Sequence, residues 1–185
     1  MPAFYLTLIA VLLAGLGARD QVTIAGLSER QGRRPGVLLV GLAGATATAL
    51  AAGWAAGLML QSLPAPARGI FAAIALGMAG LESLVLVPRR KPDEPTHSLG
   101  ALLFVLAVNQ ATDAARFLIF GLGVGLAAPT MAAAAGVLGG GLLIALAWAR
   151  ADLLASPAAR WSRRLVGALL TVTALMLFLR EIGIV

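Results

Sequence analysis

Cysteine is absent from the 185 residues, which removes disulfides, thiolate metal sites and cysteine nucleophiles together. Histidine occurs once, at His97 in a polar stretch, so no set of histidine ligands can form and His97 reads as a solvated side chain. Charge is scarce, at 12% of residues against roughly 25% in an ordinary soluble domain. Aromatics reach only 5%. What fills the chain is Ala, Gly and Leu: 60% of it is apolar and its mean hydropathy is +0.94. A soluble fold has no interior large enough for that surface, and small residues suit helices that pack closely in lipid. The expected fold class is an all-α polytopic membrane protein.

Apolar runs occur at Ala3–Leu27, Gly36–Leu60, Gly69–Val87, Leu99–Ala128, Met131–Ala149 and Leu165–Leu179. A span needs about 20 apolar residues, so the pattern predicts six transmembrane helices. Phe4 to Gly17 ends in small residues like a cleavable signal, but no basic region precedes it and the apolar pattern resumes after Asp20, so it is read as part of the first span. The connections at Ser28–Pro35, Gln61–Arg68, Pro88–Ser98, Pro129 and Arg150–Arg164 hold Pro, Gly, Ser or charge.

The net charge of +6 lies between the apolar runs and forms no aromatic-rich basic stripe, so no nucleic acid is expected as a partner. Connections one, three and five hold Arg30, Arg33, Arg34, Arg89, Arg90, Lys91, Arg150, Arg160, Arg163 and Arg164, whereas the opposite side has Arg68 and Arg180. The positive-inside rule then places the odd connections in the cytoplasm and both termini in the periplasm of a bacterial inner membrane. Tyr5, Trp54, Trp148 and Trp161 fall near the two interfaces, as an aromatic belt does. The lipid bilayer is the expected partner, and a homo-oligomer is compatible with the sequence.

The chain is internally related. Leu16–Leu27 aligns with Asn109–Phe120, setting Asp20 against Asp113 late in the first span of each half. This divides the chain into a first three-helix repeat (1–88), a cytoplasmic linker (89–98) and a second three-helix repeat (99–185). A duplicated unit of three spans enters the membrane in opposite senses, which predicts two inverted repeats. The charges agree, since Arg-rich connection one corresponds to the uncharged turn at Pro129.

The candidate site lies at the polar interruptions of spans one and four: Arg19, Asp20 and Gln21, with Asn109, Gln110, Thr112, Asp113 and Arg116. Intramembrane charge is costly, at least about 2.5 kcal/mol per residue, and normally faces a bundle interior or a water-filled cavity. The bland alternative is that the charges neutralise one another as interhelical glue, Asp113 with Arg116 at i,i+3 and Arg19 with either aspartate. Glu82, about six residues before Pro88, is expected at the cytoplasmic interface, as a gate or relay or as a snorkelling carboxylate. Gly121-Leu122-Gly123-Val124-Gly125 follows no strand and is not a nucleotide loop. Gly53 with Gly57, and Gly136 with Gly140, have the spacing that lets helices approach closely. No catalytic set is apparent; neither an enzyme nor a cofactor is expected.

The stretch Leu13–Gln21 resembles the motif E-x-G-D-(K/R)-(S/T) followed by Gln, carried twice by cation/proton exchangers of the LysE-like transporter superfamily. Gly17, Arg19 and Gln21 are in register; Gly15 and Ala18 stand at its acidic positions and Asp20 at its Ser/Thr. Gln110-Ala111-Thr112-Asp113 can be laid on E-x-G-D. The resemblance implies two inverted halves, export of manganese or calcium against protons, and functional positions at Gln21, Asp113 and Gln110; Asp20 and Asp113 are the intramembrane carboxylates available to a metal ion. Hard divalent cations want several oxygen ligands, and here two arginines roughly cancel the two aspartates. The expectation is a small secondary transporter of this type, or a diverged one handling another small solute such as an anion or zwitterion. A non-transporting membrane scaffold or partner subunit is the alternative from another class.

Overall fold

The computed structural model describes residues 1–86, 97–154 and 157–184. Apart from His97, which is exposed, and Ser98, the expected linker lies outside the described residues. Helices run α1 (Pro2–Gly15), α2 (Arg19–Gln31), α3 (Pro35–Ser62), α4 (Ala65–Val85), α5 (Leu99–Ala111), α6 (Ala114–Gly125), α7 (Pro129–Ala149), α8 (Ala151–Leu154) and α9 (Pro157–Glu181), and the described residues include no strand. Pro35 and Pro129 open α3 and α7, where a preset φ and a missing N–H cost nothing. Helices α3, α4, α7 and the Trp161–Glu181 part of α9 are long and apolar enough to cross a membrane.

The first and fourth apolar runs are broken in the backbone. Helices α1 and α2 meet at 57° and α5 and α6 at 51°; with each bent pair taken as one span the candidates number six. The first break turns at Gly17, whose φ of +73° lies in the left-handed region that only glycine enters freely. The second has no glycine. Thr112 leaves helical geometry and extended Asp113 is the N-cap of α6, a position that favours aspartate.

Packing is close because the residues are small. Helix α3 lies on α7 and α4 on α9, while α6 packs on α4 and α1 on α7. A Cβ on Gly53 would sit 3.1 Å from the Pro129 carbonyl oxygen, and one on Gly136 would run into Ile119, so one glycine of each small-residue pair marks a tight contact, while Gly57 and Gly140 have ordinary spacing. The α4–α9 contact is made at Gly80 and Gly167, where a Cβ on Gly167 would lie 2.9 Å from the Gly80 carbonyl oxygen. The apolar interior falls into two clusters. One gathers residues of α1 and α6, including Val11, Ala14, Ala114 and Leu118; the other gathers residues of α2 and α5, including Ile24, Leu27, Leu102 and Leu106. Along both bent spans, the breaks fall between them.

Trp148 Nε1 donates to the Arg34 carbonyl oxygen at 3.1 Å and Gly36 packs against Leu99, so connection one, the start of α5 and the end of α7 gather at one end. Gly53 beside Pro129 and Gly69 beside Glu181 mark the other. Connection two is shorter than the sequence suggested. Arg68 belongs to α4, and its Nε and Nη2 donate to the carbonyls of Leu63 and Leu60 at 2.9 and 2.8 Å, closing the end of α3. Connection five is shorter too, because α9 starts at Pro157 and takes Arg163 into the helix. Tyr5, Trp54 and Trp161 are exposed.

Candidate functional site at two helix breaks

A helix that stops inside a bundle leaves backbone donors and acceptors unpaired, and the side chains at each break meet that need. Gln21 closes the first: its Nε2 donates to the Gly15 carbonyl and its Oε1 accepts from the Gly17 N–H at 3.0 Å. Asp20 sits in the first turn of α2, where its Oδ1 accepts from the Gln21 N–H at 2.8 Å. A carboxylate at a helix N-terminus is also favoured by the helix dipole.

Arg19 leaves its own break and serves the other. Its Nη2 donates to the Asn109 carbonyl at 3.3 Å, to the Thr112 carbonyl at 3.0 Å and to Thr112 Oγ1 at 2.8 Å, so a cation caps the carbonyl end of α5. Asn109 contributes through its backbone and Thr112 through backbone and hydroxyl. In return Gln110, fully buried on α5, donates from Nε2 to Asp20 Oδ2 at 3.0 Å. The two breaks are thus tied by a bond in each direction.

Beyond Gln110 the network reaches α3 and α6. Thr48 Oγ1 lies 2.8 Å from the Gly44 carbonyl and 3.3 Å from Gln110 Oε1, and it accepts from Arg116 Nε at 3.0 Å. Arg116 Nη1 contacts Asp113 Oδ2 at 3.5 Å. A Cβ on Gly44 would stand 3.1 Å from Gln110 Oε1, so that glycine makes the room Gln110 occupies. Asp113 is within electrostatic reach of Asp20, Arg116, Glu82 and Arg163, which makes one cluster of the whole set.

Two expectations are corrected. Glu82 is not a snorkelling surface carboxylate: it is 7% exposed and ion-paired to Arg163 of α9 through Oε2, with Arg19 Nε 3.7 Å from its Oε1. Arg19 pairs with Glu82 and with neither aspartate, because its guanidinium is drawn to the open carbonyls of α5. All the residues expected at the site, Arg19, Asp20, Gln21, Asn109, Gln110, Thr112, Asp113 and Arg116, do come together. Two partners were not foreseen. Arg163 falls among the loop arginines by sequence, although its place two turns after Pro157 is a signal for helix; Thr48 carries none beyond being a hydroxyl in an Ala- and Gly-rich span.

The cluster holds three buried carboxylates, Asp20, Glu82 and Asp113, and three guanidiniums, Arg19, Arg116 and Arg163. Glu82 and Asp113 have guanidinium partners, and among the described residues no ion pair involves Asp20. No group of three or more His, Cys, Asp or Glu side chains converges as a metal site among the described residues. The arrangement offers two-sided hydrogen bonding and one carboxylate held by neutral amides alone.

Together the fold and this buried polar layer describe an all-helical protein of the membrane-spanning class, with four to six candidate spans. No family model, curated protein or solved structure matches the chain.

Proposed function

We propose that this chain is a small secondary transporter, built as two inverted three-span halves, with its solute and coupling site where the two broken spans meet. The observation that carries the reading is the reciprocal tie between the breaks, Gln110 to Asp20 in one direction and Arg19 to the end of α5 in the other. Broken helices with ionisable residues between their ends are the usual binding architecture of inverted-repeat transporters. The packing supports the symmetry, because each half's second span lies on the other's, as do the third spans, while α1 meets α6 and α2 meets α5. The arginine-bearing connections are the cytoplasmic ones.

Matched numbers of carboxylates and guanidiniums favour a cargo that carries both signs or travels with a proton over a bare divalent cation, which needs an excess of anionic oxygen. Both classes are tested in the same vesicles. Proteoliposomes holding a pH-sensitive dye are challenged with Mn²⁺, Ca²⁺ and small zwitterionic or anionic solutes; a solute-evoked proton flux is expected in the unaltered chain and is lost in Asp20→Asn. Equal flux in the unaltered chain, Asp20→Asn and Asp113→Asn refutes the site. The chain has no cysteine, so single cysteines at Glu29 and Ser62 report sidedness against no background; an impermeant maleimide should label Ser62→Cys from outside and spare Glu29→Cys.

A further inference from the structure

Among the described residues Asp20 is the one of the three buried carboxylates with no guanidinium partner, and its two hydrogen bonds come from amides. From it a continuous hydrogen-bonded line crosses the molecule: Asp20 to Gln110, Gln110 to Thr48, Thr48 to Arg116, Arg116 to Asp113. We propose that Asp20 is the proton-exchange site of this transporter and that Gln110 and Thr48 relay its state to the Arg116–Asp113 pair in the opposite half.

The relay follows from what each group can donate and accept. With Asp20 ionised, Gln110 must present its NH₂ to the carboxylate, which leaves Oε1 toward Thr48. The Thr48 hydroxyl has one hydrogen to share between the Gly44 carbonyl at 2.8 Å and Gln110 Oε1 at 3.3 Å. When a hydronium ion gives its proton to Asp20, one O–H bond forms on Oδ2 and one breaks in hydronium, and the new hydroxyl needs an acceptor. Gln110 supplies one by turning its amide over, so that Oε1 faces Asp20 and Nε2 faces Thr48. Thr48 Oγ1 then accepts from Gln110 as well as from Arg116 Nε and gives its hydrogen wholly to Gly44. Competition for that oxygen loosens Arg116.

Arg116 has somewhere to go. Among the described residues its Nη2 and Asp113 Oδ1 are both buried without a hydrogen-bond partner, so the single 3.5 Å contact can close to a two-point guanidinium–carboxylate pair. Two helices present glycine along the line, α3 at Gly44 against Gln110 and α7 at Gly140, whose added Cβ would stand 4.0 Å from Arg116 Nη2.

The charged groups around Asp20 are few. Arg19 on its own helix is turned to α5 and Glu82; α6 brings Asp113 and Arg116, α4 brings Glu82 and α9 brings Arg163. Helices α3, α5 and α7, which pack on α2, contain no Asp, Glu, Lys, Arg or His, and α8 brings only the exposed Asp152.

The inference takes its role from the transport reading, but the titration does not depend on flux. Infrared difference spectra of the full chain in liposomes, recorded on acidification, should show a carboxyl band that is lost in Asp20→Asn. Thr48→Val keeps the shape of the side chain and removes the oxygen that serves the protonated state, so the midpoint of that band should fall by about half a pH unit or more. Thr48→Ser should restore it. Should Thr48→Val fail to fold, Thr48→Ala makes the same comparison. A band that survives Asp20→Asn, or a midpoint unchanged or raised in Thr48→Val, overturns the proposal. If flux depends on Asp20 while the midpoint ignores Thr48, the relay fails and transport stands; if the relay is seen and no solute evokes proton flux, the reverse holds.

Discussion

Deleting the Arg163 guanidinium should be among the most damaging single changes available to this chain, and deleting its partner as well should be much less so. In Arg163→Leu, Glu82 keeps only Arg19, whose Nε at 3.7 Å is worth roughly 4 to 5 kcal/mol of attraction at an effective dielectric constant of about 20 before desolvation is counted. Breaking one side of a buried pair costs about 3 to 5 kcal/mol, because the remaining charge stays buried without its counter-ion. Among the described residues Arg163 Nε and Nη1 have no hydrogen-bond partner, so a neutral replacement gives up no hydrogen bond but the one to Glu82. Adding Glu82→Gln then removes the stranded charge and should recover at least half of the loss. The assay is equilibrium unfolding in mixed micelles with rising SDS fraction, followed by circular dichroism, through a double-mutant cycle. Single losses below about 1 kcal/mol that simply add would refute the idea that Glu82 and Arg163 form a buried, mutually dependent pair.

Three further outcomes follow by the same unfolding assay. Gly17→Ala should cost about 1 to 2 kcal/mol, since a φ of +73° puts a Cβ against its own carbonyl; a neutral result would show that the first break does not turn there. Gly80→Ala should cost about 1 to 3 kcal/mol, because the new Cβ meets the backbone of Gly167 and Thr171, which cannot step aside as a side chain can. The exposed Arg150–Asp152 pair is the control: its hydrogen bond from Arg150 holds the Asp152 carboxyl below its ordinary value. A depressed carboxyl adds stability above its unfolded value and loses it as pH falls through the folded one. Solvent screens this pair, so Asp152→Asn should leave the midpoint unchanged at neutral pH and shrink no transition at high salt.

The helical class was legible because hydropathy and proline spacing act locally, and each of the six apolar runs overlaps a candidate span or bent pair. The site residues were legible for a related reason: polar groups are so expensive in an apolar run that their presence in spans one and four already named the place. What the sequence did not carry was partnership. Arg19 looks like a partner for Asp20 or Asp113, yet the open carbonyls of Asn109 and Thr112, which exist only because α5 stops, compete for it and win. Glu82 looked interfacial by its distance from Pro88, but Arg163 comes from a helix 81 residues away, and no local pattern records that approach. The break at Gly17 was visible as polarity, whereas its 57° bend depends on tertiary contacts on both sides.

The bond from Arg19 to the end of α5 has a consequence for how the chain is made. Helices α1 and α2 are made with a cation and a break whose counterpart has not yet been synthesised, since Thr112 lies 93 residues further on. Until α5 is made, Arg19 lacks the carbonyls of Asn109 and Thr112 and Asp20 lacks the Gln110 amide. Closure of the two breaks is thus a delayed agreement: the early segment is held in suspense until the late one reaches it.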